Sequence, residues 1–343
     1  MRAQVYDAVG APISLRQIPE PALPPDGAII EVRATGVCRS DWHAWRGHDP
    51  VPLPHVPGHE FAGVVSAVGR EVAGFAVGDR VTAPFVNGCG RCDYCKSGNA
   101  QVCPDQTQPG FTHPGSFAER VVVRAAETNL VRLPEEIDFV GAAALGCRFA
   151  TAFRALRGLT PPALATAGSA APLRTDATVA VYGCGGVGLS AIMIAVALGA
   201  RVLAVDPSPE ARATAADLGA VLKTEILGEA DVAIDAYGSA ETAMASVRSL
   251  RRGGRHVQVG LMLGGDARAP LPWDLVVAHE LEIVGSHGMA AVDYPAMIEL
   301  VVSGRLNPRR LVRETVPLAE AGEALMAMDD PVARAGGIVV AVC

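Results

Sequence analysis

Near the middle of the chain stands the sequence Val179-Ala180-Val181-Tyr182-Gly183-Cys184-Gly185-Gly186-Val187-Gly188. Its first four residues are apolar or β-branched, the rest follow the pattern G-x-G-x-x-G, and an apolar segment from Leu189 to Leu198 comes next. A strand that runs through a glycine turn into a helix is typical of a βαβ unit. The N-terminus of such a helix presents unpaired backbone N–H groups, which bind the pyrophosphate of a dinucleotide.

The glycines of this turn have separate roles. Gly183 allows the tight turn, Gly185 lets the pyrophosphate approach the backbone, and Gly188 lets the helix pack closely on the strand. Gly186 and Val187 complete the motif. Six residues of glycine pattern are a weak signal alone, but the strand before them and the helix after them make it a strong one.

Asp206 ends the next apolar strand, eighteen residues after Gly188. A carboxylate at this place accepts hydrogen bonds from both hydroxyls of the adenosine ribose and repels a 2′-phosphate. The position therefore favours NAD over NADP. The alternative is an aspartate that only closes the turn at the strand end.

Outward from this unit, apolar strands alternate with Ala-rich helices, which is typical of a doubly wound parallel sheet in an α/β protein. We predict a Rossmann domain over residues 151–286. Its strands are expected at Val179–Tyr182, Val202–Val205, Val232–Asp235, His256–Gly260 and Leu281–Gly285.

The regions on either side of this domain have a different sequence pattern. Short alternating strands between turns, such as 27–32, 60–68 and 117–123, predict an antiparallel β-rich domain over residues 1–150. The tail, 287–343, is expected to rejoin that domain through helices at 294–303 and 320–328 and a closing strand at 337–342. The segment from Thr160 to Asp176 has no clean period and is predicted to be a surface loop.

Composition excludes several classes of protein. The chain has 343 residues, enough for two domains, with a formal net charge of −7. A chain with this net negative charge offers no basic surface for nucleic acid or anionic lipid. The uncharged segment from Ala177 to Ala200 is long enough to span a bilayer, but its glycines divide it into a strand and a helix. The N-terminus carries no secretion signal, so we expect a cytoplasmic enzyme.

Four of the eight cysteines fall in one short segment, predicted to form a lobe over residues 88–104. Their spacing is C-x2-C-x2-C-x7-C, and Gly88, Gly90 and Gly98 supply turns that let the thiolates converge. Four such ligands bind zinc tetrahedrally and leave no open position, so this ion is expected to be structural. The alternative, two disulfides or free thiols, is disfavoured in a reducing compartment. The ligands are Cys89, Cys92, Cys95 and Cys103.

A second candidate metal site is spread along the chain. Cys38 is followed closely by Ser40, Asp41 and His43, while His59 precedes Glu60 and Cys147 comes much later. Each of these residues alone is more often core filler than a ligand. Together Cys38, His59 and Cys147 supply two thiolates and one imidazole, with a fourth position for water or substrate. Asp41 is expected to accept a hydrogen bond from His59, and Glu60 to approach the metal during substrate exchange.

The order of these motifs resembles the zinc-dependent alcohol dehydrogenases of the medium-chain dehydrogenase/reductase superfamily over nearly the whole chain. The resemblance implies a GroES-like catalytic domain, two zinc ions per chain, NAD, and a homodimer or homotetramer. It also implies that an alkoxide on the catalytic zinc gives up a hydride, while Ser40 takes the alcohol proton and passes it through the nicotinamide ribose to His43.

Further residue roles come from the same resemblance. Thr151 and Val187 would pack on the nicotinamide, and Arg39 would pair with the pyrophosphate. Trp45 and Phe85 would wall the alcohol pocket, with ordinary core packing as the alternative.

One position departs from the pattern of the family. The lysine usual five residues after the acidic residue is replaced by Ala211, with Arg212 next to it. The adenosine contacts of this chain are therefore expected to involve Arg212.

The substrate expected from this pattern is a primary or secondary alcohol, with ethanol or benzyl alcohol turned over better than sorbitol. Two other functions remain open. A zinc-free medium-chain reductase of quinones or activated alkenes would share the Rossmann half, and a non-catalytic dinucleotide-sensing zinc scaffold would keep only the lobe and the glycine turn. Zinc content separates them, at about two, none and one ion per chain respectively.

Overall fold

A computed structural model describes residues 1–157, 176–330 and 336–343. The described chain divides into two compact units. One contains residues 1–150 with residues 288–330 and 338–343, and the other contains the described part of 151–287 with residues 336–337. Strands and helices are numbered in chain order below.

The first unit is rich in β-structure. A two-stranded antiparallel sheet joins β1 to β2, and a larger sheet has the order β14-β15-β3-β4-β5-β7, with β6 also paired to β3. All the pairs are antiparallel except β14 with β15, which is parallel. The strands are β1 (Arg2–Val5), β2 (Ser14–Gln17), β3 (Ala28–Val37), β4 (Glu60–Val68), β5 (Arg80–Thr82), β6 (Arg120–Val123), β7 (Val131–Arg132), β14 (Val312–Pro317) and β15 (Ile338–Val342).

The centre of this sheet is β3, because it pairs with three other strands. Its N-terminal half alternates buried and partly exposed residues, as in a strand with one face on a core. That core includes Phe61, Val65 and Val81. The tail closes the sheet as expected, since Val339 of β15 pairs with Val37 of β3.

Short helices of the first unit lie at the ends of these strands. The two nearest to the candidate metal residues are α1, which begins directly after Cys38, and α5, which begins at Cys147. The helices are α1 (Arg39–Trp45), α2 (Asp93–Lys96), α3 (Ala126–Asn129), α4 (Phe139–Ala143), α10 (Tyr294–Val302) and α11 (Ala321–Met326), together with the first four residues of α5 (Cys147–Ala155), whose remainder belongs to the second unit.

The second unit contains one six-stranded sheet in the order β10-β9-β8-β11-β12-β13. Every pair in it is parallel, and the first strand along the chain, β8, lies in the middle, which is the doubly wound order of a Rossmann sheet. The strands are β8 (Thr178–Tyr182), β9 (Arg201–Val205), β10 (Val221–Leu222), β11 (Ala230–Asp235), β12 (Leu250–Gln258) and β13 (Glu282–Gly285).

The helices of this unit are α6 (Gly186–Ala197), α7 (Pro209–Asp217), α8 (Ala240–Arg248) and α9 (Trp273–Ala278). Their beginnings are fixed by capping residues where the sequence offers them. The Ser208 hydroxyl accepts from the backbone N–H of Ala211, and Ser239 forms a capping box with Thr242. The central strand β11 is buried along its whole length, as expected for a strand covered on both faces.

The predicted α/β class is confirmed, whereas several strand limits differ. β3 runs to Val37 rather than ending at 32, because its C-terminal part also pairs with β15. β12 begins at Leu250, six residues before the predicted start. Except for Asp176, the predicted loop at 160–176 lies outside the described residues. Within the described chain, no helix is both long and apolar enough to cross a membrane.

Candidate active site

Four side chains from three distant segments meet in the interior of the first unit. Possible ligand atoms of Cys38, His59, Glu60 and Cys147 all lie within 4.8 Å of one another. Cys38 precedes α1, His59 precedes β4 and Cys147 begins α5, so each donor sits at the end of a regular element. Strand and helix ends hold side chains rigidly, and the three predicted ligands are therefore brought together by the fold.

The imidazole of His59 is oriented by Asp41. Its Nδ1 donates to the Asp41 carboxylate at 3.0 Å, and the backbone N–H of Gly58 donates to the same oxygen at 2.8 Å. Both side chains are fully buried. The other ring nitrogen, Nε2, is buried and has no hydrogen-bond partner among the described residues. A buried ring nitrogen left in this state fits a metal ligand, since the metal supplies the missing partner.

The two cysteines differ in their acidity. A hydrogen bond with the Cys147 thiol holds the pKa of Cys38 well below its usual range, and the same interaction raises the pKa of Cys147. The lowered pKa of Cys38 acts in the direction that favours its thiolate, the form in which a cysteine binds a metal. Together with the buried imidazole, this donor set is soft and suits zinc.

Glu60 is paired with Arg148, a residue to which the sequence analysis gave no role. The backbone N–H and the Nε of Arg148 donate to Oε1 of Glu60 at 2.9 Å and 3.1 Å, and its Nη2 contacts Oε2. Burial raises the pKa of Glu60, although the guanidinium opposes this shift. An arginine inside the apolar stretch 145–152 was the available signal, because such a charge needs a buried partner.

Helix α1 carries the residues predicted to act on the proton and on the cofactor. Ser40 and His43 are three positions apart, hence on one side of the helix, and both are partly exposed. The Nδ1 atoms of His43 and His48 are 3.0 Å apart, so one imidazole donates to the other. Arg39 stacks on Trp42 and donates to the carbonyl of Met328 at 2.9 Å.

The two predicted pocket aromatics have different surroundings. The Trp45 ring belongs to a core cluster that includes Tyr6 and Phe117, and its indole N–H donates to the Ala11 carbonyl at 2.7 Å. The structure thus favours the packing alternative for Trp45. The ring of Phe85, in contrast, has its centroid 5.8 Å from that of His59.

Sequence reasoning missed a second aromatic neighbour of this histidine. The ring of Phe111 has its centroid 5.1 Å from that of His59 and is only half-buried. No local motif marks Phe111, because the loop that carries it meets His59 only in the folded chain.

The four clustered cysteines form a separate group in the same unit. The Sγ of Cys92 lies 3.6 Å from that of Cys95 and 3.7 Å from that of Cys103. Tetrahedral zinc with Zn–S bonds of about 2.3 Å requires sulfurs roughly 3.8 Å apart, so these separations fit. None of the eight cysteines forms a disulfide. The predicted donors converge, and the disulfide alternative is not realised.

The base of this lobe is fastened by residues that the motif did not include. Asn87 and Thr107 exchange backbone hydrogen bonds and close the loop between them. The buried Asn129 amide accepts from the N–H of Gly88 at 2.9 Å and donates to the Gly88 carbonyl at 2.8 Å. Only the tertiary fold brings Asn129 to Gly88.

In the second unit, the glycine turn joins β8 to α6 as predicted. Gly183 has a positive φ of 91°, and a Cβ on Gly188 would overlap the carbonyl oxygen of Gly183. A Cβ on Gly185 would meet no described atom within 4 Å, so the surface above this residue is open. The open backbone at the start of a 12-residue helix fits a pyrophosphate.

Asp206 faces this turn. Its carboxylate accepts from the N–H of Cys184 at 2.6 Å and from the N–H of Ser208 at 2.8 Å. Arg212 donates from Nη1 to the carbonyls of Asp206 and Pro207, both at 3.0 Å. The strand-end turn role of Asp206 is therefore present, and its carboxylate also lies against the glycine turn.

The residues predicted to pack on the nicotinamide lie in this unit as well. Thr151 is 5% exposed and accepts a hydrogen bond from Ser286 through its carbonyl, whereas Val187 is half-buried at the start of α6. Tyr237, which no motif singled out, is 69% exposed. It lies next to the glycine turn, because a Cβ built on Gly183 would come within 2.9 Å of the Tyr237 Cβ.

Comparisons with known proteins agree with this description. Residues 24–135 match the alcohol dehydrogenase GroES-like domain, and residues 186–303 match the zinc-binding dehydrogenase family. An alcohol dehydrogenase of Geobacillus stearothermophilus is 30% identical, with 96% of each chain covered. An NAD-dependent alcohol dehydrogenase of Sulfurisphaera tokodaii is 31% identical, with 95% of each covered.

The fold has solved counterparts. The alcohol dehydrogenase TADH from Thermus sp. ATN1 has a TM-score of 0.86 at 31% identity, covering 100% of this chain and 99% of that one. The fold and the two cysteine sites define a zinc-type medium-chain dehydrogenase/reductase. Within that superfamily, the chain belongs to the alcohol dehydrogenase family. It is an oxidoreductase of small molecules, with NAD(P) and zinc as the cofactors of its family.

Proposed function

We propose that this protein is an NAD-dependent zinc alcohol dehydrogenase, which transfers a hydride from a primary or secondary alcohol to NAD and, in reverse, from NADH to an aldehyde or ketone. The observation that carries this proposal is the convergence of Cys38, His59 and Cys147, in which the buried Nε2 of His59 has no hydrogen-bond partner among the described residues. In this assignment, residues 1–150 and 287–343 are the catalytic domain and residues 151–286 bind NAD.

The chemistry is divided among a few side chains. Cys38, His59 and Cys147 would hold a zinc ion and leave one position for the alcohol. That ion would supply a Lewis acid, which lowers the pKa of the alcohol hydroxyl toward neutral pH. The Asp41 carboxylate accepts a hydrogen bond from Nδ1–H of His59, so the proton stays on Nδ1. The lone pair of Nε2 is then available to bind the metal.

The proton leaves along helix α1 in this proposal. The Ser40 hydroxyl would take the proton of the alcohol and His43 would release it to solvent, with a ribose hydroxyl of bound NAD supplying the link between them. The partial exposure of Ser40 and His43 supports this route, because it gives the imidazole access to solvent. A second imidazole, that of His48, already hydrogen-bonds to His43.

The cofactor is bound by the glycine turn. Gly183, Gly185, Gly186 and Gly188 form the turn, and the N-terminus of α6 provides N–H groups for the pyrophosphate. Asp206 supports NAD over NADP, since its carboxylate faces the same turn and would repel a 2′-phosphate.

Several other contacts belong to the proposal for the cofactor. Arg39 would pair with the pyrophosphate, Thr151 and Val187 would contact the nicotinamide, and Arg212 would lie beside the adenosine. Arg39 and Arg212 each donate to a backbone carbonyl, and an anion can replace such an acceptor.

A small apolar or aromatic alcohol is the proposed substrate. Phe85 and Phe111 place two aromatic rings beside His59, and they offer little to the hydroxyls of a polyol. We therefore expect ethanol or benzyl alcohol to be oxidised faster than sorbitol.

The test is a zinc determination combined with a substrate panel. We expect about two zinc ions per chain, faster reduction of NAD than of NADP, and loss of alcohol oxidation when the ions are stripped with a chelator. Undiminished activity after removal of zinc would contradict the proposal. A zinc-free protein that reduces quinones or activated alkenes would be the reductase, and a protein with one zinc and no turnover would be the scaffold.

A further inference from the structure

One arginine directly follows one proposed ligand of the buried metal site and contacts the immediate neighbours of the other two. Arg148 follows Cys147 in the chain. Its Nη1 donates to the carbonyl of Val37, the residue before Cys38, at 3.0 Å. Its backbone N–H and its Nε both donate to Glu60, the residue after His59. The three segments that supply the ligands are thus joined through a single side chain.

The pair of Arg148 and Glu60 is enclosed by protein. Glu60 is fully buried and Arg148 is 7% exposed. A Cβ on Gly36 would collide with the Glu60 carboxylate and would lie 2.9 Å from Nη2 of Arg148, so this glycine leaves room for the pair. In such a buried environment, removal of one partner leaves the other as an uncompensated charge, which is strongly unfavourable.

The Glu60 carboxylate has two possible cationic partners. It is bound to Arg148, yet one of its oxygens lies within 4.8 Å of the ligand atoms of Cys38, His59 and Cys147. A carboxylate in that position can complete a four-coordinate zinc site, and a site closed in this way has no position for substrate.

We propose that Arg148 is a positioning residue that holds Glu60 in an ion pair and thereby keeps the fourth coordination position open for the alcohol. The inference rests on the proposed function, because it concerns the same metal site. It goes further because one arginine, which contacts neither the substrate nor the cofactor in this proposal, determines how many protein side chains bind the metal.

The test compares zinc release and activity in Arg148→Met. Without the guanidinium, Glu60 becomes the fourth ligand, so we expect a chelating dye to remove the buried zinc more slowly than from the wild type. We also expect kcat/KM for alcohol to fall by about 10- to 100-fold, the usual range for residues around a ligand shell. Zinc should be released in two kinetic phases, one for each site, and the phase that is missing in Cys38→Ser belongs to the buried zinc.

The second substitution restores the open site. In Arg148→Met with Glu60→Gln, the amide is a poor zinc ligand, and we expect the zinc to be released at least as fast as from the wild type. Arg148→Lys keeps a charge but loses the fork of donors, so its release rate should lie between those of the wild type and Arg148→Met. Arg148→Lys also provides a folded variant if Arg148→Met is unstable.

A matched control removes an arginine from another ion pair. Arg251 pairs with Asp231 in the second unit, so Arg251→Met should leave both zinc release phases unchanged. Unchanged or faster release of the buried zinc in Arg148→Met would overturn the inference and leave Arg148 as a packing residue. Replacement of the zinc by cobalt gives an independent readout, since the visible spectrum should shift in Arg148→Met and return when Glu60→Gln is added.

Failure of the proposed function would look different. A wild-type protein that binds zinc at Cys38 but oxidises no alcohol would disprove the dehydrogenase activity, while the comparison of release rates would still report the effect of Arg148.

Discussion

The two cysteine-containing sites of the first unit are built in opposite ways. In the lobe, four cysteines come from residues 89–103, and the aspartate and the arginine of that segment are exposed. In the buried site, donors come from positions 38, 59 and 147, and Asp41, Glu60 and Arg148 surround them. Under the proposed function, this difference separates a closed metal site from an open one. A local segment can supply all four ligands, whereas a site with a free position needs its three ligands held apart by a rigid fold.

The largest effect is expected for Cys38→Ser. Loss of one of three ligands should remove the buried zinc and lower kcat for alcohol oxidation by at least about 10³-fold, since the metal supplies several kcal/mol of catalysis. Steady-state kinetics with NAD and a zinc determination measure both changes. The lobe should keep its ion and the circular dichroism spectrum its shape. Cys343→Ser, an exposed cysteine outside both sites, is the control, and full activity in Cys38→Ser would remove the proposed mechanism.

Cys92→Ser should have the converse effect. Because a structural zinc contributes directly to folding, we expect the melting temperature to fall by about 10 °C. At low temperature, the kcat of the folded protein should remain near that of the wild type. A large loss of kcat without a change in melting temperature would show that the two sites are not separate in function.

Asp41→Asn tests the orientation of the imidazole. The substitution preserves the shape but removes the charged acceptor of His59 Nδ1, and we expect the affinity of the buried site for zinc to fall by about 10- to 100-fold. Competition with a chelator of known affinity measures this change. Asp93→Asn replaces an exposed carboxylate next to Cys92 and should leave the affinity of both sites intact. An equal loss in both variants would point to a general effect of charge.

The smallest effect is expected for Asn129→Ala. The backbone groups of Gly88 would lose their side-chain partner, which costs about 1–3 kcal/mol for buried groups. We expect faster removal of the lobe zinc by a chelator and a lower melting temperature, with no change at the buried site. Asn99→Ala is the control in the same lobe, because the Asn99 amide donates to the nearby Ser97. A similar loss in Asn99→Ala would deny Asn129 a specific role.

Local patterns predicted the features that are built from neighbouring residues. The strand, turn and helix around Gly183 follow from strand propensity and from the room that only glycine provides, and the lobe follows from the cysteine spacing. The resemblance to a family gave Trp45 a pocket role. In the structure, its indole packs in a core and donates to the Ala11 carbonyl. A bulky aromatic near a ligand in sequence can face either way, and its neighbours determine which.

The sequence by itself determined which side chains are candidates to bind metal and dinucleotide, because thiols, imidazoles and glycines at fixed spacings have few other uses together. The tertiary structure alone decided their environment. Arg148 and Glu60 are 88 positions apart, and so are not paired by any local pattern. Their ion pair exists because α5 and β4 meet in the interior, where a buried charge is stable only with a partner.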